Sequence, residues 1–355
     1  MDSKGYLVFH LNLAFSSIEE KAWEDVIKSC YHPLLDLIEK TGVPVGIECT
    51  GWTLRQIKKI DPDWIDRFRV LLDSNYCELI GSGYCQIIGP LVPEKVNEWN
   101  QKIGLDDYSE ILGQKPQLSL VNEMAFSQSM VDLYSRFNYR GFIMDRDNIR
   151  LALDSFEVPS IAKGHGDFSL PILWSDSILF QKVQHYAHGD ISLETYLNYL
   201  KGRIESGESF LPIYCNDAEV FDYRPGRFKE ERPTHPDGEW NRLHDLIQSI
   251  VKDAQVEILL PSEALAQSLA ASKKTISNLV SVGYPVPVKK QAKYNIARWA
   301  VTGRDDMWLN TTCHRIAKEL ISSENHNKKD WEELCELWAS DLRTHITEKK
   351  MEKST

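Results

Sequence analysis

The sequence predicts an α/β fold, a parallel sheet curling into a barrel with a helical region behind it, and three observations carry that prediction. Short apolar or β-branched runs recur through the first two-thirds of the chain, helical patterns separate them, and the strand signal stops after Leu260. Strands alternating with helices make parallel sheets. About seven such units before the chain changes character favour a barrel over an open doubly wound sheet.

The runs are Tyr6–Phe9, Val43–Ile47, Cys77–Ile80, Gln117–Val121, Gly141–Met144, Phe210–Tyr214 and Val256–Leu260. Each reads as a strand covered on both faces. Between the first two, Trp23, Val26, Ile27, Leu34, Leu35 and Ile38 recur at helical spacing within Glu19–Glu39. Asp61-Pro62-Asp63 caps a helix over Trp64–Leu72, and Pro261-Ser262-Glu263 opens another. Tyr284-Pro285-Val286-Pro287 reads as an extended connector. From about Ile296 to Thr347 the pattern is helical, with Trp308–Leu320 and Asp330–Ile346 as its clearest stretches. The chain thus divides into a barrel over 1–270 and a helical region over 271–355 that packs on it.

Lys and Arg total 41 against 52 Asp and Glu, a net charge of −11, and no basic block approaches the footprint that nucleic-acid binding requires. The start has too short an apolar stretch for a signal peptide, and no run reaches the roughly 20 apolar residues of a membrane span. The expectation is a cytoplasmic protein with no nucleic-acid or membrane partner, compatible with self-association. Seven scattered cysteines without a C-x-x-C pair read as buried thiols.

In an α/β barrel the reactive groups stand at the C-terminal ends of the strands. There the chain offers His10 and Asn12, Glu48, Asn122 and Glu123, Asp145, then Asn216, Asp217 and Glu219. Carboxylates from several strand ends can meet in one pocket, and a pair about 5–5.5 Å apart is the apparatus of a retaining glycosidase. Any one of them could instead cap the following helix. Trp52, Tyr84, Trp174, Tyr186, Phe221 and Tyr223 would suit the apolar faces of sugar rings. His185-x-x-His188-Gly189-Asp190 offers sugar-contacting or structural histidines, with a metal site as the other reading. Gly81-Ser82-Gly83 lacks phosphate-loop spacing and reads as a tight turn, and no G-x-S-x-G elbow is present. Lys293 to Asp306 is dense in polar and aromatic groups. It is either an ion-pair network docking the helical region or a lid that brings Arg298, Trp299 or Arg304 to the substrate.

Four segments together resemble glycoside hydrolase family 57. They are His10 with Asn12, the stretch from Cys77 through Gly81-Ser82-Gly83-Tyr84 and Gln86 to Pro93, the Glu123 turn, and Asn216 to Phe228 with its Asp217-Ala218-Glu219-Val220-Phe221 and Arg227. The second and fourth resemble the family's glucanotransferase-like members most closely. The chain differs from the family pattern at Leu11, Gln86 and Leu120-Val121-Asn122. The resemblance implies an incomplete (β/α)7 TIM-like barrel followed by helices, acting with retention on α-linked oligosaccharides or polysaccharides and needing no metal or other cofactor. It assigns Glu123 as nucleophile, Asp217 as general acid/base and His10 to a sugar subsite. Asn12, Glu48, Trp52, Tyr84, Gln86, Asp145, Trp174, His185, His188, Glu219, Phe221, Arg298 and Trp299 complete the expected substrate-binding set. Glu123 is expected to stay ionised among donors such as Asn122 or Arg146, and Asp217 to be raised by burial and by Glu219. Two alternatives stand beside this reading. One is a metal-dependent deacetylase or mannosidase on a related barrel, disfavoured because Asn12 stands where an aspartate would be needed. The other is a carbohydrate-binding relative without turnover.

Overall fold

The computed structural model describes residues 3–149, 158–223, 236–271, 273–288, 295–303, 305–323 and 327–343. Arg227, Phe228, Lys293, Arg304 and the expected helix beyond Arg343 lie outside the described residues.

The strands are β1 (Ser3–Leu11), β2 (Val45–Cys49), β3 (Cys77–Gly81), β4 (Leu118–Leu120), β5 (Gly141–Asp145), β6 (Ile161–Lys163), β7 (Ser169–Ser175), β8 (Phe210–Asp217), β9 (Val256–Ile258) and β10 (Ile276–Ser277). Seven of them run parallel in the order β7-β5-β4-β3-β2-β1-β8, so the last barrel strand in the chain lies beside the first. No ladder joins β7 to β8 among the described residues, which leaves the barrel open at that seam. This is an incomplete TIM-like barrel. β6, antiparallel to β7, extends the sheet outward with β10. On the β2 side of β1, residues Ser3–Gly5 pair with the stub β9 and Val8–Leu11 with β2.

Two strand expectations change. Ser169–Ser175 is a barrel strand that the sequence reading lacks; Pro171 and the serines at its ends weaken the apolar-run signal there. Val256–Leu260, expected as a full strand, contributes only a three-residue stub.

The helices are α1 (Trp23–Val26), α2 (His32–Thr41), α3 (Gly51–Ile60), α4 (Pro62–Asp73), α5 (Glu94–Leu112), α6 (Gln128–Arg136), α7 (Ser177–Ala187), α8 (Leu193–Glu205), α9 (Glu239–Lys252), α10 (Pro261–Ala271), α11 (Asp306–Ser322) and α12 (Lys328–Leu337). Their ends follow the sequence signals. Asp61 accepts from Trp64 N–H at the start of α4, with Pro62 in its first turn, and Gly42 closes α2 at φ +64°. A π turn over Ile27–Tyr31 joins α1 to α2. No described helix is long and apolar enough to cross a membrane.

The last helices share a second core with the barrel's α5. Trp331, Trp338, Leu334 and Cys313 bury themselves against Tyr84, Val96 and Ile103, and Trp331 stacks on Trp99. Around this core, Arg55 of α3 binds both Asp107 of α5 (2.8 Å) and Glu332 of α12 (2.7 Å). Tyr84 donates to Glu336 at 2.7 Å beneath the Arg55 guanidinium.

The open seam is filled by charge. Asp176 caps α7 through Ile178 and Leu179 N–H and also pairs with Arg146 and with Arg203, the latter at 2.9 Å. Both arginines reach Glu208, just ahead of β8. The Tyr6 hydroxyl of β1 donates to the Trp174 carbonyl of β7. Asp176 is almost fully buried, so its removal leaves both arginines to Glu208 and uncaps two helix N–H groups. Replacing Asp176 by alanine is expected to cost about 1–3 kcal/mol, the range for leaving buried hydrogen-bonding groups without a partner, read as a fall in the denaturation midpoint.

Candidate active site

The C-terminal ends of the strands enclose a cavity of about 420 Å³, within the usual range for a small-molecule site. The barrel contributes His10, Asn12, Gln86, Glu123, Asp145 and Asp217, and the region after the barrel contributes Arg298, Trp299 and Asp341. Eight residues expected at the site from the sequence therefore face one space.

Glu123 follows β4 in a 3₁₀ turn over Asn122–Met124, where Glu123 (φ +52°) and Met124 (φ +55°) are both left-handed. Two successive side-chain-bearing residues in that region cost energy, and such strain gathers at functional sites. The turn is held by Asn122, whose amide donates to Ser82 O at 3.1 Å, and by the Asn148 amide on Met124 O. The expected donors to Glu123 are thus engaged elsewhere: Asn122 with Ser82, and Arg146 with Asp176 and Glu208.

Asp217 ends β8 directly opposite His10 of β1, with His10 Nδ1 3.8 Å from Asp217 Oδ1. The β1–β8 ladder carries a bulge. Tyr6 faces Pro212 but Leu7 faces Tyr214, so Ile213 is an extra residue. Counted by twos from Phe210, Asp217 would share the side of Leu211; the extra residue puts it on the side of Phe210 and Pro212, with Cys215 and His10.

Burial divides the acids differently from the sequence expectation. The Asp217 side chain is 48% exposed, whereas Glu219, two residues on, is fully buried. Burial and then the charge of Asp217 raise Glu219 above the ordinary carboxylate range, against hydrogen bonds from the Tyr31 hydroxyl and Asn12 N–H. Glu48, at the end of β2 beside His10, is 0% exposed. Neither of its oxygens finds a well-formed hydrogen bond, although the Ser82 hydroxyl offsets part of the cost. Burial foremost, then Asp217 and Glu219, push it up to about 8.

Several expected site residues do other work. Glu48 and Glu219 lie beneath the cavity. Trp52 packs edge-on to Trp23, and Tyr84 is held by Arg55 and Glu336 where the last helices dock. Trp174 donates its indole N–H to Pro159 O at 2.6 Å. His185 pairs with Asp190 at the surface, His188 lies 3.2 Å from Val220 O, and Phe221 is buried among Tyr214, Trp240 and His188. Tyr186 lies under Arg242, and Tyr223 packs on the main core. The two histidines and His10 do not converge, and no described group of three His, Cys, Asp or Glu stands in metal-binding proximity. Gly81-Ser82-Gly83 lets α5 approach: a Cβ on Gly104 would stand 2.4 Å from the Gly83 carbonyl carbon, and Gly83 has φ +87°. Asn148, Gln184 and Asp341 line the cavity without having been singled out from the sequence. Asp341, in a tail otherwise read as helix, carried no spacing that could have found it.

The fold is an open, mostly parallel TIM-like barrel with carboxylates gathered at its strand ends, the place where such barrels carry their reactive groups. A family model described as glycosyl hydrolase family 57 matches residues 6–277, and the chain belongs to that family. Solved structures share its fold. A branching enzyme of the family from Thermococcus kodakaraensis is 14% identical with a TM-score of 0.71, covering 100% of this chain and 87% of its own. An α-amylase from Thermotoga maritima is 12% identical at 0.66, covering 100% and 91%. A 4-α-glucanotransferase from Thermococcus litoralis is 15% identical at 0.60, covering 89% of this chain, which spans only 44% of that enzyme's length. No curated protein matches at a significant level.

The buried Glu48 makes stability depend on pH. The folded chain holds a proton at Glu48 up to about pH 8, whereas the unfolded chain gives it up near the ordinary 4.5. Unfolding therefore releases a proton between those values, and this contribution to stability falls as pH rises. Glu48→Gln keeps the neutral shape at every pH, so its stability relative to wild type is expected to grow between roughly pH 5 and pH 9 in denaturation series.

Proposed function

We propose that the chain is a retaining enzyme of α-linked glucans, cleaving or transferring glycosyl units through a covalent intermediate on Glu123. The observation that carries this reading is that Glu123, on a strained strand-end turn, and Asp217, opposite His10, line one cavity. In the first step a Glu123 oxygen forms a bond to the anomeric carbon as the glycosidic C–O bond breaks, and Asp217 gives its proton to the departing oxygen. In the second, Asp217, now a carboxylate, takes a proton from water or a sugar hydroxyl, whose oxygen displaces Glu123. Because Asp217 is half-exposed, a hydroxyl acceptor can reach it from the open side.

The lining also speaks to the substrate. Among the described residues, Glu123, Asp145, Asp217 and Asp341 face it together with the Arg298 guanidinium. That balance repels uronates and sugar phosphates and suits uncharged sugars. With the net charge of −11, it supports a saccharide partner rather than nucleic acid. We also take the region after residue 270 to act as one unit with the barrel rather than as a separate module.

The test is turnover of maltooligosaccharides and of α- and β-linked aryl glycosides, with and without EDTA. The expected result is α-selective turnover that ignores EDTA, with the first product in the α configuration by NMR. Asp217→Asn is expected to lower kcat by about 10²–10⁴, the usual worth of a general acid/base, and Glu123→Gln to abolish it. Inverted product, EDTA sensitivity or wild-type turnover in either variant overturns the mechanism.

A further inference from the structure

Cys215 lines the cavity two residues before Asp217 on β8. Its rung of the β1–β8 ladder faces Val8 and the next but one pairs His10 with Asp217, so all four side chains share one side of the sheet. The buried His10 ring meets a different group at each nitrogen. Nε2 lies 3.4 Å from Cys215 Sγ, and Nδ1 lies 3.8 Å from Asp217 Oδ1. A neutral imidazole has one N–H and one bare nitrogen, and its neighbours decide which is which. Burial pushes the Cys215 thiol above its ordinary value, so the sulfur keeps its proton. The Ser175 hydroxyl also reaches the sulfur, but a ring nitrogen is the stronger acceptor, and the thiol proton goes to Nε2. Nε2 is then the bare nitrogen and Nδ1 carries the hydrogen. Glu48, opposite His10 on β2, holds its own proton up to about 8, so from that side no charge draws a second proton onto the ring.

The consequence falls on Asp217. With Nδ1–H aimed at Oδ1, the proton that Asp217 carries as an acid belongs on Oδ2. In the other tautomer Nδ1 would be bare and would accept that proton itself, diverting it from the departing oxygen. We propose that Cys215 is a positioning residue, its thiol holding His10 in the Nδ1–H tautomer so that Asp217 keeps its transferable proton on Oδ2. The 3.8 Å separation is that of a site without substrate, where catalytic hydrogen bonds are often long and tighten on binding. In the first step Asp217 Oδ2 gives its proton to the departing oxygen while His10 Nδ1–H stays on Oδ1, and in the second Oδ2 takes the proton of the acceptor. The use made of the tautomer rests on Asp217 being the general acid/base; the tautomer itself does not.

The experiment uses the full chain labelled with nitrogen-15 histidine, whose long-range proton–nitrogen NMR correlations separate the two neutral tautomers and the imidazolium; the signals lost in His10→Gln identify the ring. Wild type and Cys215→Ser, whose hydroxyl also donates, are expected in the Nδ1–H form, and Cys215→Ala in a mixture of forms. In turnover of maltotetraose, kcat of Cys215→Ala is expected to fall about 10-fold, a part of the roughly 10²–10⁴ that an acid/base supplies, with KM little changed and Cys215→Ser close to wild type. A wild-type ring in the Nε2–H or doubly protonated form overturns the proposal, and so does Cys215→Ala with the wild-type ring state. A ring that changes while kcat holds removes the link to Asp217. If wild type turns over no glucan and the ring states are as expected, the setting of His10 by Cys215 stands while the proposed reaction falls. Should Cys215→Ala melt early, the ring states of wild type and Cys215→Ser decide the matter alone.

Discussion

A carboxylate taken out of water must be paired, hydrogen-bonded or protonated, and the mouth of this barrel is organised by that requirement. Each acid there meets it in its own way. Asp176 takes two arginines and a helix N-terminus, Asp145 accepts from Asp147 N–H at 2.8 Å, and Glu219 draws on Tyr31 and Asn12. Glu48 has only the weak support of the Ser82 hydroxyl, and burial pushes it up to about 8. Among the four described acids that line the cavity, Asp145 and Asp341 are buried, and the partly exposed pair, Glu123 and Asp217, is the one assigned to the chemistry. The Tyr31 hydroxyl that supports Glu219 comes from the π turn before α2, where the helix widens by one residue.

The same economy joins the last helices to the barrel. Their apolar faces share a core with α5, and the Arg55, Asp107, Glu332, Tyr84 and Glu336 cluster ties three segments together around it. Asp107 is buried enough to sit above its ordinary range despite Arg55. Packing of this kind leaves little freedom between α12 and the loop after β3. A residue following α12 can therefore be held at the cavity as firmly as one on a strand.

Much of this was legible in the sequence because the signals are local. Six of the seven parallel strands showed as apolar runs, Asp61-Pro62 announced its helix, and strand-end polar residues pointed to one end of the barrel. Ser169–Ser175 was hidden by Pro171, which a strand tolerates when the partner ladder does not need its N–H. The division among site residues was not legible, since burial depends on what packs above a side chain. Asp217 and Glu219 are two residues apart with opposite exposure, and Tyr84 points to a helix some 250 positions away in the chain. Asp341 was out of reach for the same reason.

The extra residue at Ile213 has a mechanical meaning. It resets the phase of β8 between its lower half, Phe210 to Pro212, and its upper half, which carries Asp217, while its own side chain packs at Gly5. The bulge acts as an expansion joint: strain or substitution in the lower half can be absorbed by the unpaired residue before it reaches the His10–Asp217 rung. A strand paired without interruption would transmit the same disturbance along its whole length. The rung above the bulge thus takes its alignment from the register of Tyr214 to Asp217 with β1 rather than from the strand's lower half.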